Sequence, residues 1–167
     1  MDAPAPGSLR VRVQAEPFDA AAEAAVLTAG RADLGAVVTF TGLCRDEGGT
    51  LTALEIEHYP GMAEAEIERV AAAARDRWPL AGVVAVHRYG LIRPGEPIVL
   101  VVTASRHRDA AFEAAAFLMD YLKTAAPFWK REHGPAGPGG WVAAKASDEA
   151  ASARWREPPP PLQKGGD

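Results

Sequence analysis

The chain has 167 residues, 48% of them hydrophobic, and a formal net charge of −4, which leaves room for one domain with a sizeable core and too little for two ordinary ones. The acidic balance argues against broad nucleic-acid binding, which needs a basic surface to displace counterions, so any anion site has to be local. No stretch approaches the roughly 20 apolar residues that span a bilayer, no basic and then apolar leader follows Met1, and Cys44 is the single cysteine, excluding an internal disulfide or a four-cysteine zinc site. The expectation is a soluble, unexported, cytoplasmic protein with a disordered N-terminus (1–8), one domain (9–156) and a disordered Pro-rich tail (157–167).

Residues 9–14 alternate apolar and polar as a half-buried strand does, and the alanine-rich 18–28, just after Pro17, reads as a helix. A second strand is expected at 35–43, dense in Val and Thr, with a turn at 46–50 and residues 51–58 returning as its hairpin partner. Pro60-Gly61 ends that strand. Ile67, Val70, Ala71, Ala74 and Trp78 then recur at helical spacing, with acidic residues early, Arg75 and Arg77 in the last turn, and Pro79 as the stop. Residues 83–92 and 97–103 flank Arg93-Pro94-Gly95-Glu96 as a hairpin, and the unbroken apolar run 98–102 marks a central strand. A third helix over 108–125 is expected to turn Phe112, Ala115, Ala116, Met119 and Leu122 inward before Pro127 ends it. A short strand at 128–132, an exposed Gly/Pro loop at 134–140, a strand at 141–144 and a terminal helix at 147–155 complete the chain. Hairpins outnumber parallel crossovers, so the class is α+β: a largely antiparallel sheet with helices packed on one side, plus a smaller β-rich subregion.

The third helix holds the first chemical signal. Arg108, Phe112, Met119 and Lys123 fall in one narrow sector, so an apolar stripe carries a cation at each end. Either both cations snorkel to solvent or each reaches an anion. They stand 15 positions apart, roughly 22 Å along a helix, so one small ligand could be held by both only if two protomers build the site. Lys130 and Arg131 add a second cationic cluster close behind Lys123; neighbouring lysines lower each other's pKa, which favours proton transfer near neutral pH, while a bound phosphate opposes that shift. His107-Arg108 sits at a helix start, where free backbone N–H groups favour phosphate, and Arg45 follows a strand into a loop, a common place for a bidentate anion contact. Trp129 could stack on a flat ring, although a lone Trp in a strand reads as core. His58 and His87 lie in strands without a spaced ligand set and read as structural.

Several ordered segments together carry a resemblance: Val37-Val38-Thr39-Phe40-Thr41-Gly42 with Arg45; Glu57-His58-Tyr59-Pro60-Gly61-Met62; Arg77-Trp78-Pro79-Leu80; His87-Arg88; and Asp120-Tyr121-Leu122-Lys123-Thr124 running into Ala126-Pro127-Phe128-Trp129-Lys130-Arg131-Glu132. From about residue 9 to 155 the chain resembles the large, catalytic subunit of molybdopterin synthase. The resemblance implies a sulfurtransferase of molybdenum-cofactor biosynthesis that converts cyclic pyranopterin monophosphate to the dithiolene molybdopterin. Its sulfur comes from a small ubiquitin-like partner with a thiocarboxylated Gly-Gly terminus, in a heterotetramer built on a dimer of large subunits. No cofactor or metal is implied.

Carried over by position, Lys123 and Lys130 are the expected catalytic pair, and Leu43, Cys44, Arg45, His107, Arg108, Arg131 and Glu132 the expected substrate-binding residues, with His107 and Arg108 coming from the other protomer. Phe40, Met119 and Lys145 are expected contacts to substrate or to the partner's tail. Lys123 is expected to assist proton transfer during sulfur attack, with Lys130 and Arg45 holding the phosphate. Lys145 stands where the family often has arginine, which weakens a bidentate contact. Cys44 reads as packing filler, since the partner supplies the sulfur. Asp167 follows the terminal glycines, so this chain's own end is not a thiocarboxylation site. The competing reading is a non-catalytic scaffold that binds the ubiquitin-like partner and a phosphorylated ligand; the presence of both lysines speaks against it.

Overall fold

The computed structural model describes residues 7–142 and 146–156; residues 1–6 of the N-terminus expected to be disordered over 1–8, the end of the strand expected at 141–144, Lys145 and the tail 157–167 lie outside the described residues, while Ser8 opens the first strand. Strand β1 (Ser8–Gln14) leads to helix α1 (Ala20–Thr28), whose start is fixed by Asp19: its carboxylate accepts from the backbone N–H groups of Ala21 and Ala22 at 2.9 and 3.0 Å. Strands β2 (Ala36–Leu43) and β3 (Ala53–His58), helix α2 (Met62–Arg77), strands β4 (Leu80–Arg88), β5 (Gly90–Ile92) and β6 (Pro97–Ser105) and helix α3 (Arg108–Thr124) follow. Strands β7 (Phe128–Gly134) and β8 (Gly137–Val142), helix α4 (Ala146–Ala153) and a 3-10 turn (Arg154–Arg156) complete the described chain.

Two four-stranded sheets result. The first has the order β1-β4-β6-β2, with β1 parallel to β4 and the other pairs antiparallel; the second, β5-β3-β7-β8, is antiparallel throughout. In β4 and β6 successive residues are apolar and buried, because both faces are covered. Val83, Ala85, Val99 and Val101 meet α2 and α3 through Ile67, Val70, Ala114 and Leu118. Val84, Val86, Leu100 and Val102 meet Leu27 of α1 on the opposite face. The α+β class holds, with α2 and α3 on one side as expected and α1 added on the other.

Several local expectations are corrected. β2 and β3 are not a hairpin: β2 pairs with β6, and β3 with β5 and β7, so consecutive strands enter different sheets. The run 83–92 is likewise split, because Gly90 adopts φ +92° and the chain leaves the first sheet for the second. Phe112 is 62% exposed, while Ala111, Ala114, Leu118 and Leu122 form the buried stripe with Phe117. In so alanine-rich a helix two adjacent sectors are nearly equally apolar, and the tertiary contacts choose between them. The Gly/Pro segment folds as β8 after a two-residue turn at Pro135 and Ala136; an edge strand tolerates Pro138, whose missing N–H removes no ladder bond on an open side.

Leu118 is fully buried between α3 and the first sheet. Leu118→Ala is expected to lower the unfolding free energy by about 3 kcal/mol in urea titration, through lost burial and the cavity left behind.

Candidate active site

A cleft of about 700 Å³ opens where the two sheets meet, bounded by β2 and the loop after it, the end of β4, the start of β6, the last turns of α3, and β7. The register of β2 against β6 shifts between Gly42 and Leu43, a bulge that re-aims the following residues toward the opening. Cys44 is then pinned by backbone bonds, its N–H donating to the Glu96 carbonyl at 2.8 Å and its carbonyl accepting from Gly95 at 2.7 Å. Leu43, Cys44 and Arg45 all line the cleft.

The lysines arrive from two elements. Lys123, in the last turn of α3, has a side chain 53% exposed and 3.9 Å from the Asp148 carboxylate of α4. Lys130 comes from β7 and is half-buried; burial depresses its proton affinity, the charge of Lys123 depresses it further, and Asp148 partly opposes both. Arg45 is at the rim, its side chain 75% exposed and paired with Glu47. Phe40, Met119 and Glu132 complete the set of expected residues found in the wall.

Strand alternation removes Arg131 from this group. Lys130 and Glu132 face the cleft, whereas Arg131 lies on the other face of β7, donating to Glu55 at 2.6 and 3.1 Å and sitting 4.8 Å over the Trp141 ring. Glu55 also meets His133 at 2.6 Å, and these partners, Arg131 first, hold its carboxyl down at about 2. Trp129 is exposed rather than core. His107 and Arg108 stand at the far end of α3 and are solvent-exposed; the ion pair of Arg108 is with Asp109, at 3.7 Å, and neither residue lines the cleft. Cys44 is buried with Ile56 and Ile92, and burial pushes its thiol pKa up, which agrees with packing rather than with a reactive thiolate.

Two polar groups of the wall, Glu47 and His87, and Asp148 beside Lys123 are not among the site residues expected from the sequence. Glu47 and Asp148 give no sequence signal, since carboxylates outside the core are common. His87 did: it follows Val83 and Ala85 at a spacing of two, on the strand face that packs against α3. Its ring is 4% exposed, stacked on Phe128 with centroids 3.7 Å apart, and its Nδ1 donates to the Arg88 carbonyl at 2.8 Å. Burial, with the nearby Lys130 and His58 charges, holds its pKa at about 3.

The site therefore joins two ammonium groups of unequal burial, one guanidinium and a neutral imidazole. Such a set is suited to a small anion and includes one lysine, Lys130, whose proton affinity is lowered. Fold and cleft together define the class: an α+β domain organised around a cation-lined cleft between two sheets.

A family model described as MoaE protein matches residues 13–125. The molybdopterin synthase catalytic subunit of Mesorhizobium japonicum is 67% identical over 147 residues, covering 87% of this chain and 92% of the relative. That of Pseudomonas aeruginosa is 48% identical, covering 89% and 100%. Among solved structures, a MoaE protein from Burkholderia ambifaria superposes with a TM-score of 0.77 at 46% identity, covering 89% of this chain and 99% of its own. Molybdopterin synthase from Staphylococcus aureus gives 0.71 at 28%, covering 78% and 95%. The chain belongs to the MoaE family, the catalytic subunits of molybdopterin synthase.

An unfolded histidine takes up a proton near 6.5 and folded His87 only near 3, so between those values acid stabilises the unfolded chain, while above 6.5 both states are neutral and the contribution is constant. Urea titrations from pH 7 to 4 are expected to show the unaltered protein losing stability more steeply than His87→Leu, by on the order of a few kcal/mol across the window.

Proposed function

We propose that this chain catalyses sulfur transfer from the thiocarboxylated terminus of a small ubiquitin-like subunit to cyclic pyranopterin monophosphate, forming the dithiolene of molybdopterin in the cytoplasm. The observation that carries the reading is the convergence of Lys123, Lys130 and Arg45 on one open cleft. Arg45 and Lys123, the exposed cations at the rim, hold the phosphate and the incoming thiocarboxylate. The proton transfer that accompanies sulfur attack falls to Lys130 rather than to Lys123, because Lys130 is the lysine whose proton affinity burial lowers. This reverses the division of roles expected from the sequence.

The active assembly contains two copies of this chain, each with a small subunit. His107 and Arg108 are too distant along α3 to serve the same cleft as Lys123 within one chain, and a second copy brings them to it. Supporting a covered surface here, Val37 and Phe40 on the free edge strand β2 and Phe112 on α3 remain exposed.

The test is reconstitution of this chain with the thiocarboxylated small subunit and cyclic pyranopterin monophosphate, with dithiolene product read by mass spectrometry. Product that disappears when this chain is omitted supports the enzyme; a stable complex that yields none moves the assignment to the scaffold. In that assay Lys130→Ala is expected to lower turnover by about 10²- to 10⁴-fold, the usual worth of a proton-transfer group. Arg45→Ala should chiefly raise KM. Full turnover in Lys130→Ala would return the proton-transfer role to Lys123.

A further inference from the structure

His87 is the group in the cleft wall that the proposed chemistry leaves unused. The alternation of β4 turns it toward α3, where it lines the cleft although only 4% of the residue is exposed. It therefore belongs to the floor, whereas Arg45 and Lys123, both largely exposed, belong to the rim.

The orientation and tautomer of the ring are both fixed. Stacking on Phe128, with 15° between the planes, holds one face of the imidazole. At the Nδ1 edge the partner is the Arg88 carbonyl, which can only accept, so Nδ1 carries the proton and Nε2 the lone pair. Among the described residues Nε2 has no hydrogen-bond partner, yet it is absent from the buried side-chain atoms sealed off without one. It is thus open to the cleft, and a buried acceptor without a partner is where a ligand donor gains most.

The remaining polar groups of the wall make this acceptor distinctive. Lys123, Lys130 and Arg45 only donate and are suited to anions, Glu47 and Glu132 are exposed carboxylates, and the Thr41 hydroxyl is a neutral group that donates as well as accepts, whereas Nε2 of this tautomer only accepts. A neutral acceptor deep in the cleft suits an uncharged N–H or O–H, and its neutrality keeps a further cation away from Lys130. No hydrogen bond joins Lys130 to His87; the two interact only through charge.

We propose that His87 is a substrate-binding residue whose Nε2 accepts a hydrogen bond from an N–H or O–H of the bound heterocycle on the cleft floor. It thereby orients the substrate with its ring inward and its phosphate at the cationic rim. This rests on the reading of the cleft as the site for cyclic pyranopterin monophosphate, and the experiment separates the two.

Nitrogen-15 NMR of the full chain labelled at histidine, assigned with His87→Gln, should move the Nε2 signal of His87 on addition of cyclic pyranopterin monophosphate and leave it in place with inorganic phosphate alone. In the sulfur-transfer assay His87→Leu should raise KM roughly tenfold with little change in kcat, as expected for one lost hydrogen bond. His87→Gln, whose Oε1 can stand near the Nε2 position, should recover most of the loss. A stationary signal in a chain that forms product would overturn the assignment, as would unchanged KM in a folded His87→Leu or a shift produced by phosphate alone. If no product forms but the signal moves with the substrate, the assignment stands and the sulfur-transfer reading fails; if neither occurs, both fall. Should His87→Leu not fold, the NMR measurement on the unaltered chain decides.

Discussion

Because β4 and β6 are apolar at successive positions, neither strand can present a face to water, and their burial sets the order of everything around them. The pair needs a cover on each side, which α1 supplies on one and α2 with α3 on the other. It also needs neighbours along both edges, which β1 and β2 supply. With the first sheet filled in this way, β3, β5, β7 and β8 form a second sheet of their own. The cleft lies at that junction, where β2 and β4 end and the chain passes between sheets.

The electrostatics of the cleft depend on an element remote in sequence. Trp155 packs edge-on against Trp78 and Phe117, with ring centroids 5.7 and 5.6 Å away, and its indole N–H donates to Asp120 at 2.7 Å. Arg154 meets the same carboxylate at 2.7 Å. These contacts fix the end of α4 on α3, and α4 in turn carries Asp148 to Lys123. Asp148 supports the charged form of Lys130 against desolvation and against its lysine neighbour. The aromatic anchor thus has a consequence at the cleft, since loosening it would withdraw the Asp148 carboxylate from the lysine pair.

What could be read in the sequence follows from which signals are local. Helix limits were legible where residues carry them: Pro79 after α2 and Pro127 after α3. The apolar run 98–102 gave a central strand, since continuous burial leaves no alternation to misread. Pairing was not legible. Residues 36–43 and 53–58 both look like partners across a glycine turn, and only the demand of β6 for an edge neighbour decides that they separate. Phe112 was misplaced for a related reason, because Ala-rich α3 offers two stripes and the sheet below selects one. In the site, Lys123, Lys130 and Arg45 were found by residue type and family resemblance. His87 reads as structural in the sequence because a strand histidine without metal-ligand spacing carries no ligand signal, and its side of β4 is what brings it to the cleft.

β7 shows why side matters more than proximity. Lys130 and Arg131 are consecutive cations and, counted along the chain, form one cluster. Folding sends Lys130 into the cleft and Arg131 to the opposite face, where Glu55 binds the guanidinium and Trp141 stacks beneath it. The neutralised arginine helps to hold the second sheet together, through a pair that spans β3 and β7. The lysine, partly stripped of water and with no ion pair of its own among the described residues, is left with lowered proton affinity. A period of two therefore converts one basic run into a structural ion pair and a candidate proton carrier. The same period, applied to Val83, Ala85 and His87, turns a buried imidazole toward the same cleft.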